Sequence, residues 1–182
     1  MLISIQNSKR ARGFSLIELC IVVVILGITL SIGLPAFQTW LQNTQLRTSA
    51  ETVMNGIQLA RTEAVRRNRR VEFILSNPGV AGGTGWTVQL QDGTPPIQSK
   101  PNGEGTQNAV LTVFPNGATT LTFNGFGRTE TTNRDASVPL AMIDIDTGIT
   151  FDDKREWRIN VTNGVARMCD RKITTAGDPR KC

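Results

Sequence analysis

Glu18 is the only charged residue between Phe14 and Phe37, in the run FSLIELCIVVVILGITLSIGLPAF. A carboxylate near the end of a membrane helix costs on the order of 2.5 to 3.5 kcal/mol on insertion scales, so it needs a partner or a function. Cys169 and Cys182 frame a 14-residue polar stretch containing Gly and Pro. That placement suggests a disulfide formed in an oxidising compartment, contributing roughly 3 kcal/mol on the chain-entropy model. Arg167, Arg171, Lys172, Arg180 and Lys181 crowd into the same region, opposed there only by Asp170 and Asp178. A tethered basic loop of this kind suits salt-dependent, sequence-independent contact with phosphates, though a solvated subunit-contact loop is the default reading.

Other groupings carry less chemistry. Arg61, Arg66, Arg67, Arg69 and Arg70 read as a solvated face whose charge also suits a helix C-terminus. Asp144, Asp146, Asp152 and Asp153 near Gly148 lack the spacing of an EF-hand and read as a solvated strand and turn. Gly82-Gly83-Thr84-Gly85 lacks the Lys-Ser/Thr of a phosphate loop and reads as a flexible turn. The 182 residues contain no histidine. That removes the commonest general base and metal ligand, with every Ser-His or Cys-His nucleophile system. No carboxylate pair can be assigned to acid-base work from spacing. The expectation is a protein that is not an enzyme, with no catalytic residues, cofactor, metal or small-molecule substrate.

Elements must position these residues. The 24 residues from Phe14 to Phe37 cover about 36 Å as a helix, enough to span a bilayer. The preceding MLISIQNSKRARG is short and basic, which keeps it cytoplasmic and sends the rest across. No small-residue cleavage site follows the apolar run, as an ordinary secretory signal requires. The formal net charge is +5 and falls to about +2 without residues 1–13, so local clusters matter more than total basicity. Cys20, inside the run, reads as a packing residue.

Beyond Phe37, Leu46, Ala50, Val53, Ile57, Ala60 and Ala64 alternate steps of four and three along one helix face. Gln45, Arg47, Glu51, Gln58, Arg61, Arg66 and Arg69 occupy the other. One helix is expected from about Phe14 to about Asn68, kinked or locally melted near Gly33 to Pro35. Strands are then expected at Val71 to Leu75, Trp86 to Leu90, Val110 to Phe114, Thr119 to Phe123, Ala141 to Ile145, Trp157 to Val161 and Val165 to Cys169, with Asn163-Gly164 as a type I′ hairpin turn. A long helix covered on one face by an antiparallel sheet, an α+β fold, is the consistent architecture.

Arg12-Gly13-Phe14-Ser15-Leu16-Ile17-Glu18 resembles the prepilin peptidase site of type IV pilins and type II secretion pseudopilins. The resemblance implies cleavage between Gly13 and Phe14, N-methylation of Phe14, and Glu18 as the fifth residue of the mature chain, where it sets axial register against the free amine of a neighbouring Phe14. Pro35 becomes the twenty-second residue, where many pilins also have proline. Ile57 to Asn68, Leu121 to Arg128, Asn163 to Asp170 and Asp178 to Cys182 resemble the GspH/FimT branch. That branch implies a pilin-like fold with a leader at 1–13, a transmembrane or filament-core helix at 14–37, an amphipathic continuation at 38–70 and a periplasmic β-rich head at 71–182.

The resemblance also implies partners and places. These are other major or minor pilins or pseudopilins, prepilin peptidase, and the bacterial inner membrane with the C-terminal part in the periplasm. The roles it implies are initiation or tip of a type IV pilus, in twitching, adhesion or DNA uptake; the tip pseudopilin of a type II secretion system; or a DNA receptor acting through the C-terminal loop. FimT-group DNA receptors use a Gly-Arg-x-Arg motif. Gly164-Val165-Ala166-Arg167 keeps only its second arginine.

The mature protein is expected to begin at Phe14. N-terminal sequencing of native material checks this, and a chain still beginning at Met1 where leader processing is active overturns it.

Overall fold

The computed structural model describes residues 14–93 and 95–182, and it divides into a unit ending at Gln38 and a second, Thr39–Cys182. The leader at 1–13, with Gly13, lies outside the described residues. Helix α1 spans Leu16–Arg67, 52 residues. It passes Gly33 and Pro35 unbroken, so the local melting expected there does not occur. Pro35 removes one backbone donor, and its neighbours in so long a helix hold the turn in place.

The expected helix face is the buried one. Leu46, Ala50, Val53, Ile57, Ala60 and Ala64 are each at most 1% exposed, joined by Ser49 and Gly56. Burying each larger aliphatic side chain is worth roughly 1.5 to 3 kcal/mol. Of the residues expected on the polar face, Gln45 is half-buried. The helix ends at a left-handed Asn68, φ 49°, whose N–H donates to Val65 O at 3.2 Å while that of Arg69 donates to Ala64 O at 3.2 Å. This is a Schellman closure with Asn in the place usually held by Gly.

Among the described residues eight strands follow: β1 Val71–Leu75, β2 Trp86–Leu90, β3 Gln98–Lys100, β4 Ala109–Phe114, β5 Thr120–Phe123, β6 Met142–Thr147, β7 Trp157–Thr162 and β8 Val165–Asp170. These strands pair antiparallel throughout, in two four-stranded sheets of order β3-β2-β1-β5 and β4-β6-β7-β8, and Lys181 adds one parallel bridge to Asp170 of β8. The sequence reading omits β3, a polar edge strand. It also ends the sixth strand too early, because Asp146 and Thr147 pair with Val110 and Ala109 instead of entering the turn. Asn163 and Gly164 turn β7 into β8 with φ of 50° and 88°, the two positive values that a type I′ hairpin needs.

The two sheets and the helix face share one aliphatic core containing Phe73, Phe123, Leu111, Ile143, Ile145 and Ile159. Gly56 sets how closely helix and sheet approach. A Cβ there would lie 2.7 Å from the Phe73 ring and 2.9 Å from that of Trp86, both buried. Gly56→Ala gains up to about 1 kcal/mol of helix propensity and loses about 1 to 3 kcal/mol to overpacking. The expected outcome is a net loss of about 1 to 2 kcal/mol, read from urea denaturation of residues 39–182. A stabilised variant would show that the two rings yield freely.

Candidate functional site

Phe14 is 85% exposed, and the large apolar residues from Leu16 to Phe37 are at least 46% exposed. The most apolar 18-residue window has a mean hydropathy of 2.6 and none of it is buried. Its hydroxyls are satisfied internally, Thr29 donating to Ile25 O and Leu26 O at 3.0 Å and Ser31 to Gly27 O at 2.8 Å. A side chain bonded in this way lets a polar residue sit on a lipid-facing helix. Cys20 is exposed on the same segment and unpaired.

Glu18 stands in the first turn of the helix. Leu19 N–H donates to Ser15 O at 3.1 Å and the helix begins at Leu16, which makes Ser15 the N-cap and Glu18 the third helical residue. Ser-x-x-Glu is the spacing of a capping box, and a carboxylate in the first turn suits the positive end of the helix dipole. The sequence reading gives Glu18 an intermolecular duty alone. The spacing from Ser15 was the signal for a local one.

The C-terminal loop is a second built feature. Cys169 and Cys182 are joined, and Asp170 N–H donates to Arg180 O at 2.7 Å, so the returning segment lies beside β8. Asp170 is 1% exposed; Arg155 Nη1 lies 3.2 Å from its carboxylate, and Lys172 N–H donates to it at 2.9 Å. Asn43 of α1 ties in the preceding loop, accepting from Arg155 N–H at 2.9 Å and donating to Asp153 O at 3.0 Å.

The five basic residues of the C-terminal loop do different things. Arg171 lies 3.4 Å from both Asp144 and Glu156, and Arg180 pairs with Asp178 at 2.9 Å. Arg167 donates to Pro179 O at 2.8 Å and Lys181 to Thr174 O at 3.2 Å, so these two staple the loop while keeping their charge. The Lys172 ammonium has no carboxylate partner among the described residues. Two of the five are therefore neutralised within the fold, Arg171 by Asp144 of β6 and by Glu156 just before β7, and Arg180 by Asp178 of its own loop.

Ion pairs elsewhere also change the reading of the clusters. Asp144, expected on a solvated strand, is 6% exposed and receives the Arg158 guanidinium at 2.6 and 2.8 Å across the β6–β7 pairing. Its presence raises the Arg158 pKa above the ordinary value. Asp146 pairs with Lys154 at 2.9 Å. At the end of α1, Glu63 takes both Arg66 and Arg67 at 2.7 Å, while Arg69 reaches Asp92 and Arg70 reaches Glu130. Arg66 and Arg67 hold the Glu63 carboxyl below its usual pKa, as Arg180 does for Asp178. A carboxyl with a depressed folded pKa contributes above its unfolded value and loses that contribution as pH falls through the folded one. Both pairs are therefore intact at neutral pH. Among the described residues no group of three His, Cys, Asp or Glu is placed to hold a metal ion.

Comparison with known proteins agrees along most of this length. A family described as Type II transport protein GspH matches residues 49–165, and the prokaryotic N-terminal methylation motif matches residues 8–34. A curated "Fimbrial protein" of Pseudomonas aeruginosa is 32% identical over 108 residues, 58% of this chain and 70% of the relative. The crystal structure of the type IV minor pilin FimU of Pseudomonas aeruginosa superposes with a TM-score of 0.51 at 17% identity, covering 68% of this chain and 87% of that one. At that identity it speaks for the fold: one long N-terminal helix with antiparallel sheets.

Replacing Cys169 and Cys182 together by serine is expected to cost about 3 kcal/mol. Urea denaturation reads the total, and amide exchange should show protection lost chiefly from Asp170 to Cys182, with β1 and β2 unchanged. Uniform loss of protection would mean that the bond supports the whole head and not the loop.

Proposed function

The chain belongs to the GspH family of pilin-like proteins, and from that premise we propose that it is a minor subunit of a type IV pilus, working by assembly at the initiation or tip complex. The family and its fold are structural, not enzymatic. The observation that carries the proposal is the apolar segment of α1, exposed along its length and matched by the methylation motif, with a single carboxylate near its start. Such a surface is stable only in lipid or against other apolar helices.

The proposed sequence of events follows from that constraint. Prepilin peptidase removes residues 1–13 and Phe14 is methylated. The anchor at 14–37 then holds the subunit in the inner membrane with the head at 71–182, reached through the amphipathic continuation at 38–70, in the periplasm. On assembly the anchor exchanges lipid for the helices of neighbouring pilins, and the amine at Phe14 of one neighbour meets Glu18. Charge pairing at one depth gives the stack its axial register, because an unpaired carboxylate in that environment is costly.

A second reading is favoured by the matching family's own description: the tip pseudopilin of a type II secretion system. Crosslinking in cells separates the two by the subunits recovered. DNA capture by the C-terminal loop has weaker support. It would fall to Arg167, Lys172 and Lys181, since Arg171 and Arg180 face carboxylates.

Substitution at Glu18 distinguishes register from capping, because glutamine also completes a capping box whereas alanine does not. Glu18→Ala and Glu18→Gln are both expected to insert in the membrane. Both should lower recovery in the sheared filament fraction, by roughly tenfold for about 1.4 kcal/mol of lost pairing. Normal assembly of Glu18→Gln would leave Glu18 with a capping role only.

A further inference from the structure

We propose that the end of the head carrying Phe126 is a docking surface, and that its partner is the acidic, apolar end of another pilin-like head in the filament. The inference rests on the assembly reading above and adds a contact made by heads instead of helices. Phe126 is 86% exposed, more than any other large apolar residue described. It is not on a loose loop. Asn124 Oδ1 accepts from the N–H groups of Phe126 and Arg128 at 3.1 Å, Gly127 N–H donates to Asn124 O at 2.9 Å, and Asn124 N–H donates to Arg128 O at 2.9 Å.

The turn is also wedged from both sides. A Cβ at Gly164 would lie 2.1 Å from Gly127 O, so the β7–β8 hairpin rests directly on it. A Cβ at Gly127 would meet Val65 at 3.0 Å and Arg61 at 3.2 Å, so the end of α1 closes the other side. A rigid exposed aromatic loses little conformational freedom on binding, which is how an interface anchor works. Val65, 51% exposed, and Val165, 54% exposed, extend the apolar surface around it. Arg61 and Arg128 flank it, both exposed and with no carboxylate partner among the described residues, whereas Arg66, Arg67, Arg69 and Arg70 nearby are paired.

Position excludes lipid as the occupant. Within the second unit Val65 lies 26 residues along the helix from Thr39, about 39 Å at 1.5 Å per residue. The two uncommitted guanidiniums therefore call for carboxylates on a protein. The opposite end of this same head shows what such a surface looks like. The loop that Asn43 ties down there carries an exposed Ile149 beside exposed Asp152 and Asp153, neither carboxylate paired with a cation among the described residues. Two unlike, complementary ends make a heterologous contact, the kind that propagates a filament instead of closing a ring.

The test places the photo-crosslinking residue p-benzoylphenylalanine at position 126 of the full-length chain, in cells assembling filaments. Adducts are mapped by peptide mass spectrometry, and the sheared filament fraction is probed for the chain itself. The expected adduct falls on a pilin-like head at an Asp- or Glu-bearing segment with an apolar neighbour. Arg61→Glu combined with Arg128→Glu is expected to lower its yield roughly tenfold or more. If the chain is in filaments but the adduct is absent, or falls on lipid, nucleic acid, a non-filament protein or a segment without carboxylates, the docking surface is wrong and the assembly reading stands. An unchanged yield after charge reversal also overturns it. A chain that never enters filaments removes both.

Discussion

An apolar helix surface that cannot remain in water is the constraint on which the rest depends. From Leu16 to Phe37 the apolar side chains of α1 stand exposed, and each square ångström kept from water is worth about 25 cal/mol. Such a segment has two stable environments, a bilayer and a bundle of similar segments. Within either, the backbone must satisfy its own hydrogen bonds, which explains why the helix continues through Pro35 and why Thr29 and Ser31 turn their hydroxyls back onto the preceding turn. The Ser15 to Glu18 spacing is that of a capping box, and it falls at the start of the helix, where the first N–H groups lack helical partners.

The same helix then changes character without changing conformation. From Leu46 to Ala64 its buried face is made of small and aliphatic residues, and at Gly56 the backbone comes close enough to Phe73 and Trp86 that no side chain fits between. The sheets extend this core with the alternating faces of β2 and β4 and with β1, which is buried at all but one position. The head is thus held by packing in its middle and by polar ties at its margins, among them Asn43 and the Asp144–Arg158 pair.

What the sequence disclosed followed from periodicity. The helix face was legible because Leu46 to Ala64 repeats at helical spacing, β2 because its apolar residues alternate, and β1 because it is a short apolar, β-branched and aromatic run ahead of a turn signal. β3 was not, since Gln98, Ser99 and Lys100 carry no apolar pattern and gain strand geometry only by pairing with β2. The separation into two sheets was equally hidden. β4 pairs with β6 and β5 with β1, choices made by tertiary contact and not by local sequence. The charged clusters were read by type and position alone. Their partners, such as Asp144 for Arg171 and Asp92 for Arg69, lie far away in sequence and become visible only when the strands are paired.

The loop closed by Cys169 and Cys182 bears on when the head can be finished. Its bond joins β8 to a residue 13 positions further on, and every other strand precedes it in the chain. Synthesis therefore delivers the strands of the core first and the second thiol afterwards. A bond to Cys182 can close only once each of those strands has been made, and only where thiols are oxidised.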